Sequence, residues 1–225
     1  MKNLTAYKLF IWGGTICSAH VIKLKRNEIG QAANVLAEGF MDDPLYQHIL
    51  PDRSTRLHVL QIFFQNYVTM LYDYSDLYAT SDRLEAVALV YRSEKAEALP
   101  KWRYMWDICL AIVKSLKACK YIGLRGFWRG LSILRCMSST WLSMFEGRTY
   151  MHLDMLVVQQ EFCGQGYVSK IMKPLLEECN QRSIVCTLET QNPGNIALYE
   201  RYQFTTIEVI PLPESKLEQY CMVYQ

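Results

Sequence analysis

Residues Met151 to Lys173 read MHLDMLVVQQEFCGQGYVSKIMK, and the fold turns on how that stretch is parsed. Met155 to Val158 is a continuous apolar run, which reads as a buried strand. A short polar link follows, then a glycine pair, Gly164 and Gly166. Beyond it Val168, Ile171, Met172, Leu175 and Leu176 recur at helical spacing. The stretch therefore predicts strand, glycine turn, helix. Small residues at such a turn leave backbone N–H groups facing outward at a helix start. There the positive end of the helix dipole favours an anion, phosphate above all.

Elements of the same kind extend outward on both sides. Val21 to Lys25 alternates apolar and basic residues and predicts a first strand. Asn27 is placed to cap a helix with an apolar stripe of Ile29, Ala32, Ala33, Leu36, Ala37 and Phe40, ending near Met41–Pro44. Ser54 is placed to cap a second. Leu77–Thr80 and Leu84–Tyr91 read as a hairpin. Downstream, Ile184–Thr190 reads as a strand, Asn195 opens a short helix to about Tyr202, and Thr205–Ile210 and Tyr220–Tyr224 are the last strands, linked through Pro211 and Pro213. From Glu94 to Glu146 the pattern is helical, with Gly123, Gly126 and Gly130 as interruptions.

With 225 residues, 51% of them hydrophobic and 20% charged, the chain suits one globular domain. The net charge of +2 says little about partners, but its distribution says more. No acidic residue lies between Asp107 and Glu146, where Lys114, Lys117, Lys120, Arg125, Arg129 and Arg135 fall. Those cations read as a solvated face, and Trp102, Trp106, Trp128 and Trp141 as the anchors that pack this segment onto the domain. The eight cysteines form no CxxC pair and the four histidines fit no zinc spacing, so no metal is expected. Scattered free thiols suit a reducing cytoplasm. No run is long enough to span a bilayer, membrane contact is not expected, and no motif points to nucleic acid. Residues 1–20 are set apart as an N-terminal extension. Lys2 and Lys8 precede the apolar run Leu9–Ala19, which reads as a leader, an extra ordered arm or an over-long start.

Two stretches carry chemistry. A dinucleotide site at the glycine turn would need a third glycine at Ser169 and a second strand–helix–strand half; a Walker loop would need Gly-Lys-Ser/Thr. The second stretch, Asn192 to Phe204, reads NPGNIALYERYQF. Asn195 and Tyr199 are four apart and share a helix face, while Leu198 and Tyr202 share another that can bury. A tyrosine held there can donate a proton.

Taken together, the two stretches resemble the GNAT superfamily of N-acetyltransferases. That family's phosphate loop, Arg/Gln-x-x-Gly-x-Gly/Ala, is matched by Cys163-Gly164-Gln165-Gly166-Tyr167-Val168. Its later Asn-Pro-x-Asn-x-x-x-Tyr-Glu-Arg-x-x-Phe motif is matched from Asn192 to Phe204, and Ala37–Pro44 is similar to one branch of the family. The resemblance covers residues 21–92 and 148–224 and implies an α+β GNAT fold. That fold has a mixed central sheet of about seven strands, helices on both faces, and here a helical insertion at 94–146 within one domain spanning 21–225. It also implies acetyl-CoA as co-substrate. Cys163, Gly164, Gln165, Gly166, Tyr167, Val168 and Ser169 would hold its pyrophosphate, backbone groups of Leu156, Val157 and Val158 its pantetheine and thioester, and Asn195 and Tyr199 the same cofactor face. Tyr199 is the implied acid. Glu38, Asp42, Asp43, Asp154 and Glu189 are the carboxylates available as base, with Glu189 at the end of its strand able to act through water and Asp42 and Asp43 at the substrate mouth. His152 reads as a core histidine.

The expected reaction is acetyl transfer to a primary amine of a small molecule or peptide by direct attack, in the cytoplasm, by a monomer or homodimer. Cys163 stands where the family has Arg or Gln, and Val168 where it has Gly or Ala. These departures motivate the alternative of a non-catalytic acyl-CoA binding or sensing protein; an O-acyl or longer-chain transferase is a third reading.

Overall fold

The structure, a computed structural model, describes residues 21–136, 140–212 and 215–225. The expectations for residues 1–20 and Pro213 lie outside them.

Among the described residues one seven-stranded sheet runs in the order β1-β2-β3-β4-β5-β7-β6. Its strands are β1 Ile22–Lys23, β2 Ser75–Ala79, β3 Ala86–Arg92, β4 Tyr150–Val158, β5 Val185–Thr190, β6 Thr205–Pro211 and β7 Glu218–Tyr224. All neighbours are antiparallel except β4 and β5, which are parallel and joined through a helix. This is the mixed sheet expected from the sequence.

Three helices precede β2: α1 Ile29–Gly39, α2 Pro44–Ile49 and α3 Arg53–Leu71. The short α2 falls where the sequence reads only as a turn. Pro44 occupies its first turn, where its missing N–H costs nothing, and Asp43 Oδ1 accepts from Leu45 N at 2.9 Å. The cap of α3 is Asp52, not Ser54: Asp52 Oδ1 accepts from both the Ser54 N–H and its hydroxyl. Between β3 and β4 come α4 Ser93–Glu97, α5 Lys101–Ser115 and α6 Cys119–Cys136. Of the three glycines expected to interrupt that segment, only Gly123 leaves helical geometry (φ 66°, ψ 171°). Gly130 stays helical and brings α6 close to Ile49. Finally, α7 Tyr167–Arg182 links β4 to β5, and α8 Ile196–Glu200 follows β5.

Two apolar layers flank the sheet. Leu77, Ala79, Val87 and Leu89 face α1 and α3, whereas Tyr78, Ala86, Ala88 and Val90 face α7. Strand alternation explains this for β2 and β3. On β4 the parity breaks: Met151 and Leu153 face the α7 layer, yet Met155 and Val157 face the α1–α3 layer. Only an extra residue between them allows odd-numbered side chains to swap sides. That residue is Asp154, skipped by the register Val90↔Leu153 and Leu89↔Met155.

A buried ion network fixes α7 to the sheet. Arg92 Nε donates to Asp76 at 2.8 Å and Arg92 Nη2 to Glu178 of α7 at 2.9 Å. Trp141, as expected, is buried; it packs against Phe145, Cys221 and Val223. Trp102, Trp106 and Trp128 are not: they face solvent. The reading of all four as anchors is therefore wrong for three of them.

Candidate active site

β4 and β5 pair only through Tyr150–Leu153 and Val185–Leu188. From Asp154 onward β4 has β3 on one side and no strand on the other among the described residues. Leu156, Val157 and Val158 therefore present a free backbone edge to the gap, where a ligand can complete the ladder.

At the end of that edge the chain turns through Gln160–Phe162 into the glycine pair. Gly164 (φ 77°) and Gly166 (φ 81°) both lie in the left-handed region, and Gly166 is the N-cap of α7. No side chain caps the helix, so its first N–H groups remain available. A β-carbon built on either glycine would meet nothing within 4 Å. The turn thus faces open space and carries outward donors, which fits a phosphate group.

The other residues expected at the turn are placed as follows. Cys163 Sγ lies 3.9 Å from the Val158 carbonyl and 3.7 Å from that of Gln159. Gln165 Nε2 donates to the Glu161 carbonyl, and the Lys170 ammonium sits 3.8 Å from the centre of the Tyr167 ring. Val168 packs against the α7-side core. Ser169 Oγ and Tyr202 OH are 2.6 Å apart, tying α7 to the exit of α8.

Asn195 ends a short turn and its Nδ2 donates to Thr190 Oγ1 at 3.4 Å. Tyr199, on α8, is the residue of its helix that buries, rather than the expected Leu198–Tyr202 pair, and it packs on Phe204. Burial pushes its phenol up to about 12, and the Asp43 carboxylate adds to the effect. It stays protonated at neutral pH.

Facing it across the split is a group of side chains on the α1–α3 side. Gly39 brings α1 against β4 so closely that a β-carbon there would overlap Val157 Cγ1 at 2.1 Å. Arg56, buried, donates to the carbonyls of Leu50, Met41 and Pro51 and so pins the loops around α2. Within that frame Asp42 is exposed and pairs with Arg53 at 3.3 Å, while Asp43 caps α2 and burial raises its pKa.

Asp154, the bulged residue, points to this side. Its Oδ1 accepts from Tyr67 OH at 3.0 Å, and its Oδ2 is buried without a partner among the described residues. Burial raises its pKa to about 6, partly offset by the Tyr67 hydrogen bond. Burial raises the pKa values of Tyr67, Tyr46 and Tyr104; the Asp154 charge adds to all three, and Asp43 adds more to Tyr46. Asp43 and Asp154 both act electrostatically on Tyr46, and Asp43 acts on Tyr199.

Glu189 ends on the face of β5 that meets Trp141, whose Nε1 donates to its carboxylate. His152 is a core histidine: Nδ1 lies 2.9 Å from Thr187 Oγ1, and burial lowers its pKa to about 4. The sequence reading grouped Asp154 with four other carboxylates. The one signal that separates it is a lone charge inside an apolar strand. A cavity of about 390 Å³ lined by Arg148, Cys179, Ile184 and Gln225 lies at the opposite end of β5 and includes none of these residues.

Residues 120–204 match the family model described as "Acetyltransferase (GNAT) family". The match begins inside the segment read as an insertion. Solved structures share the fold over almost the whole chain. A Corynebacterium glutamicum protein, described as histone acetyltransferase HPA2 and related acetyltransferase, superposes with a TM-score of 0.56 at 14% identity, covering 91% of this chain and 94% of its own. The Drosophila melanogaster polyamine N-acetyltransferase gives 0.54 at 12% identity, covering 91% and 98%. Arylalkylamine N-acetyltransferase 2 from Aedes aegypti gives 0.51 at 13% identity, covering 91% and 97%. At such identities the likeness is one of fold. No curated protein matches the sequence. Among the described residues no helix is long and apolar enough to cross a membrane, and no cluster of His, Cys, Asp or Glu could hold a metal ion.

Proposed function

We propose that the chain, whose residues 120–204 match the GNAT acetyltransferase family model, transfers an acetyl group from acetyl-CoA to a primary amine, with Asp154 as base and Tyr199 as acid. Acetyl-CoA supplies an activated thioester and a thiolate leaving group. The N–H groups at Gly164–Ser169 bind its pyrophosphate, and the free edge at Leu156–Val158 orients its pantetheine and aims a donor at the thioester carbonyl.

The observation that carries this reading is the bulge at Asp154, which turns a carboxylate with a burial-raised pKa toward the α1–α3 side of the free β4 edge. Asp154, with its pKa near 6 and one unpartnered oxygen, is largely ionised at neutral pH yet basic enough to take a proton from the incoming ammonium. Tyr199, near 12, keeps its proton at neutral pH and can hydrogen-bond through it to the departing thiolate, stabilising the charge that develops there until the thiolate is protonated. Asp154 suits the base role better than Glu189, which is engaged by Trp141. Asp43 beside the split, with Asp42 on its rim, favours a cationic acceptor.

The names of the solved relatives suggest which amines to try first: a polyamine, agmatine and an arylalkylamine. The free thiols at Cys109, Cys119, Cys163, Cys179, Cys186 and Cys221 support a cytoplasmic site of action. The test is release of CoA thiol from acetyl-CoA across that panel. Turnover of at least one amine is expected. In Tyr199→Phe, kcat should fall by about 10²-fold with little change in the KM for acetyl-CoA. Binding of acetyl-CoA without turnover of any amine would favour the binding-only reading; full activity of Tyr199→Phe removes Tyr199 as the acid.

A further inference from the structure

α5 turns an apolar stripe to water. Ile112 on its inner side packs on the core, whereas Trp102 (71% exposed), Trp106 (65%), Leu110 and Val113 (61%) follow one another at helical spacing on the outer side. Past the break at Gly123, α6 adds Leu124 (59%) and Trp128 (55%). Among the described residues, ten of the thirteen large hydrophobics left exposed fall between Trp102 and Trp128, a concentration in this one segment that ordinary scatter does not give.

The patch is bordered by cations. Lys114, Lys117, Lys120, Arg125 and Arg135 are exposed, and none forms a salt bridge among the described residues. No carboxylate lies anywhere from residue 108 to 145. We propose that the α5–α6 face docks on an anionic lipid surface, with the tryptophans at the headgroup–acyl boundary and the cations on the lipid headgroups.

Two properties select that occupant. Tryptophan with a polar N–H edge, interleaved with Lys and Arg, is the side-chain set that the membrane interface stabilises. A second copy of this face is a poor partner, because it would bring the cations together with only Asp107, already held by Tyr74, to pair them. The proposal stands on the exposed face alone and does not depend on acetyl transfer.

The test uses the full chain and sedimentation with vesicles of phosphatidylcholine alone or mixed with phosphatidylserine. The protein should sediment with the mixed vesicles, with tryptophan emission shifted to the blue, and release as salt rises. Trp102→Ser with Trp106→Ser, and separately Lys114→Glu with Lys117→Glu and Lys120→Glu, should each weaken binding about tenfold or more at an unchanged melting temperature. The proposal is overturned if the protein stays in solution with both vesicles, or if it binds both equally and charge reversal has no effect. It is also overturned if sedimentation equilibrium shows a lipid-free dimer that the tryptophan variants dissolve.

Discussion

The two sides of the split are made of different material. On the α7 side the groups that can meet a ligand are backbone N–H donors at the Gly164–Gly166 turn, open to solvent and shaped by two positive φ angles. On the α1–α3 side they are side chains, Tyr46 buried and Asp154 and Tyr67 half-buried, that act on one another's pKa values. A backbone nest depends on conformation and tolerates a change of side-chain chemistry. A buried carboxylate depends on its own atoms and on the dielectric around them. The first kind of site suits binding a common cofactor; the second suits moving a proton.

The largest effect should come from the side-chain half. In Asp154→Asn the carbonyl keeps the hydrogen bond from Tyr67, so the shape survives and the base does not. We expect kcat/KM for the amine to fall by about 10²–10⁴-fold with the KM for acetyl-CoA unchanged. In the parent protein the rate should drop tenfold per pH unit below about pH 6, as Asp154 takes up its proton, and that limb should vanish in the variant. Stability should move the other way. The folded chain holds this proton more tightly than the unfolded chain, so the stability linked to it is present below about 3.8 and lost as pH rises through about 6. A shift of that size is worth on the order of 3 kcal/mol at neutral pH. Asp154→Asn should therefore melt higher than the parent at pH 7 and alike at pH 4. An inactive variant that melts lower at pH 7 would instead point to a structural carboxylate.

A smaller effect is expected from the backbone half. At Gly166 a valine must adopt φ near 81°, which its branched Cβ disfavours, and it would fill the open space in front of the N–H groups. Gly166→Val should raise the KM for acetyl-CoA by about tenfold, with a loss of about 1–2 kcal/mol in stability. The pH limb set by Asp154 should not move. If the limb shifts with the glycine, the two sides are coupled and the division drawn above fails.

What could be read in advance follows the same line. The strand–turn–helix and the Asn195–Tyr199 spacing are local patterns, and the sheet they predict is the sheet observed. The bulge is not local: Asp154 turns toward α3 only because Met151–Leu153 and Met155–Val157 must satisfy two different layers. Without it Asp154 looks like one carboxylate among five, and the Trp141 hydrogen bond to Glu189 is equally invisible in the sequence. Helix α2 escaped because Asp-Pro reads as a turn, although a proline in the first turn behind an aspartate cap is also a good helix start. The tryptophans of α5 were misread for a different reason. Large apolar residues at helical spacing identify a stripe but not which way it faces.

The smallest effect tests the residue that departs most from the family's loop. Cys163 is exposed, and its thiol lies toward the carbonyls of Val158 and Gln159, outside the row of N–H groups that starts α7. A longer amide at this position adds at most one solvent-exposed hydrogen bond to a phosphate, a contribution of about 0.5–1 kcal/mol. Cys163→Gln should then lower the KM for acetyl-CoA by only about two- to fivefold and leave kcat alone. A gain of a hundredfold would mean that side chains, not the backbone, govern this side of the split. The parent's Cys163 would then mark a weakened cofactor site, and the acyl-CoA sensing reading would gain what the backbone geometry now denies it. A change within a few-fold, beside the collapse caused by Asp154→Asn, would separate the two sides by the amount their construction implies.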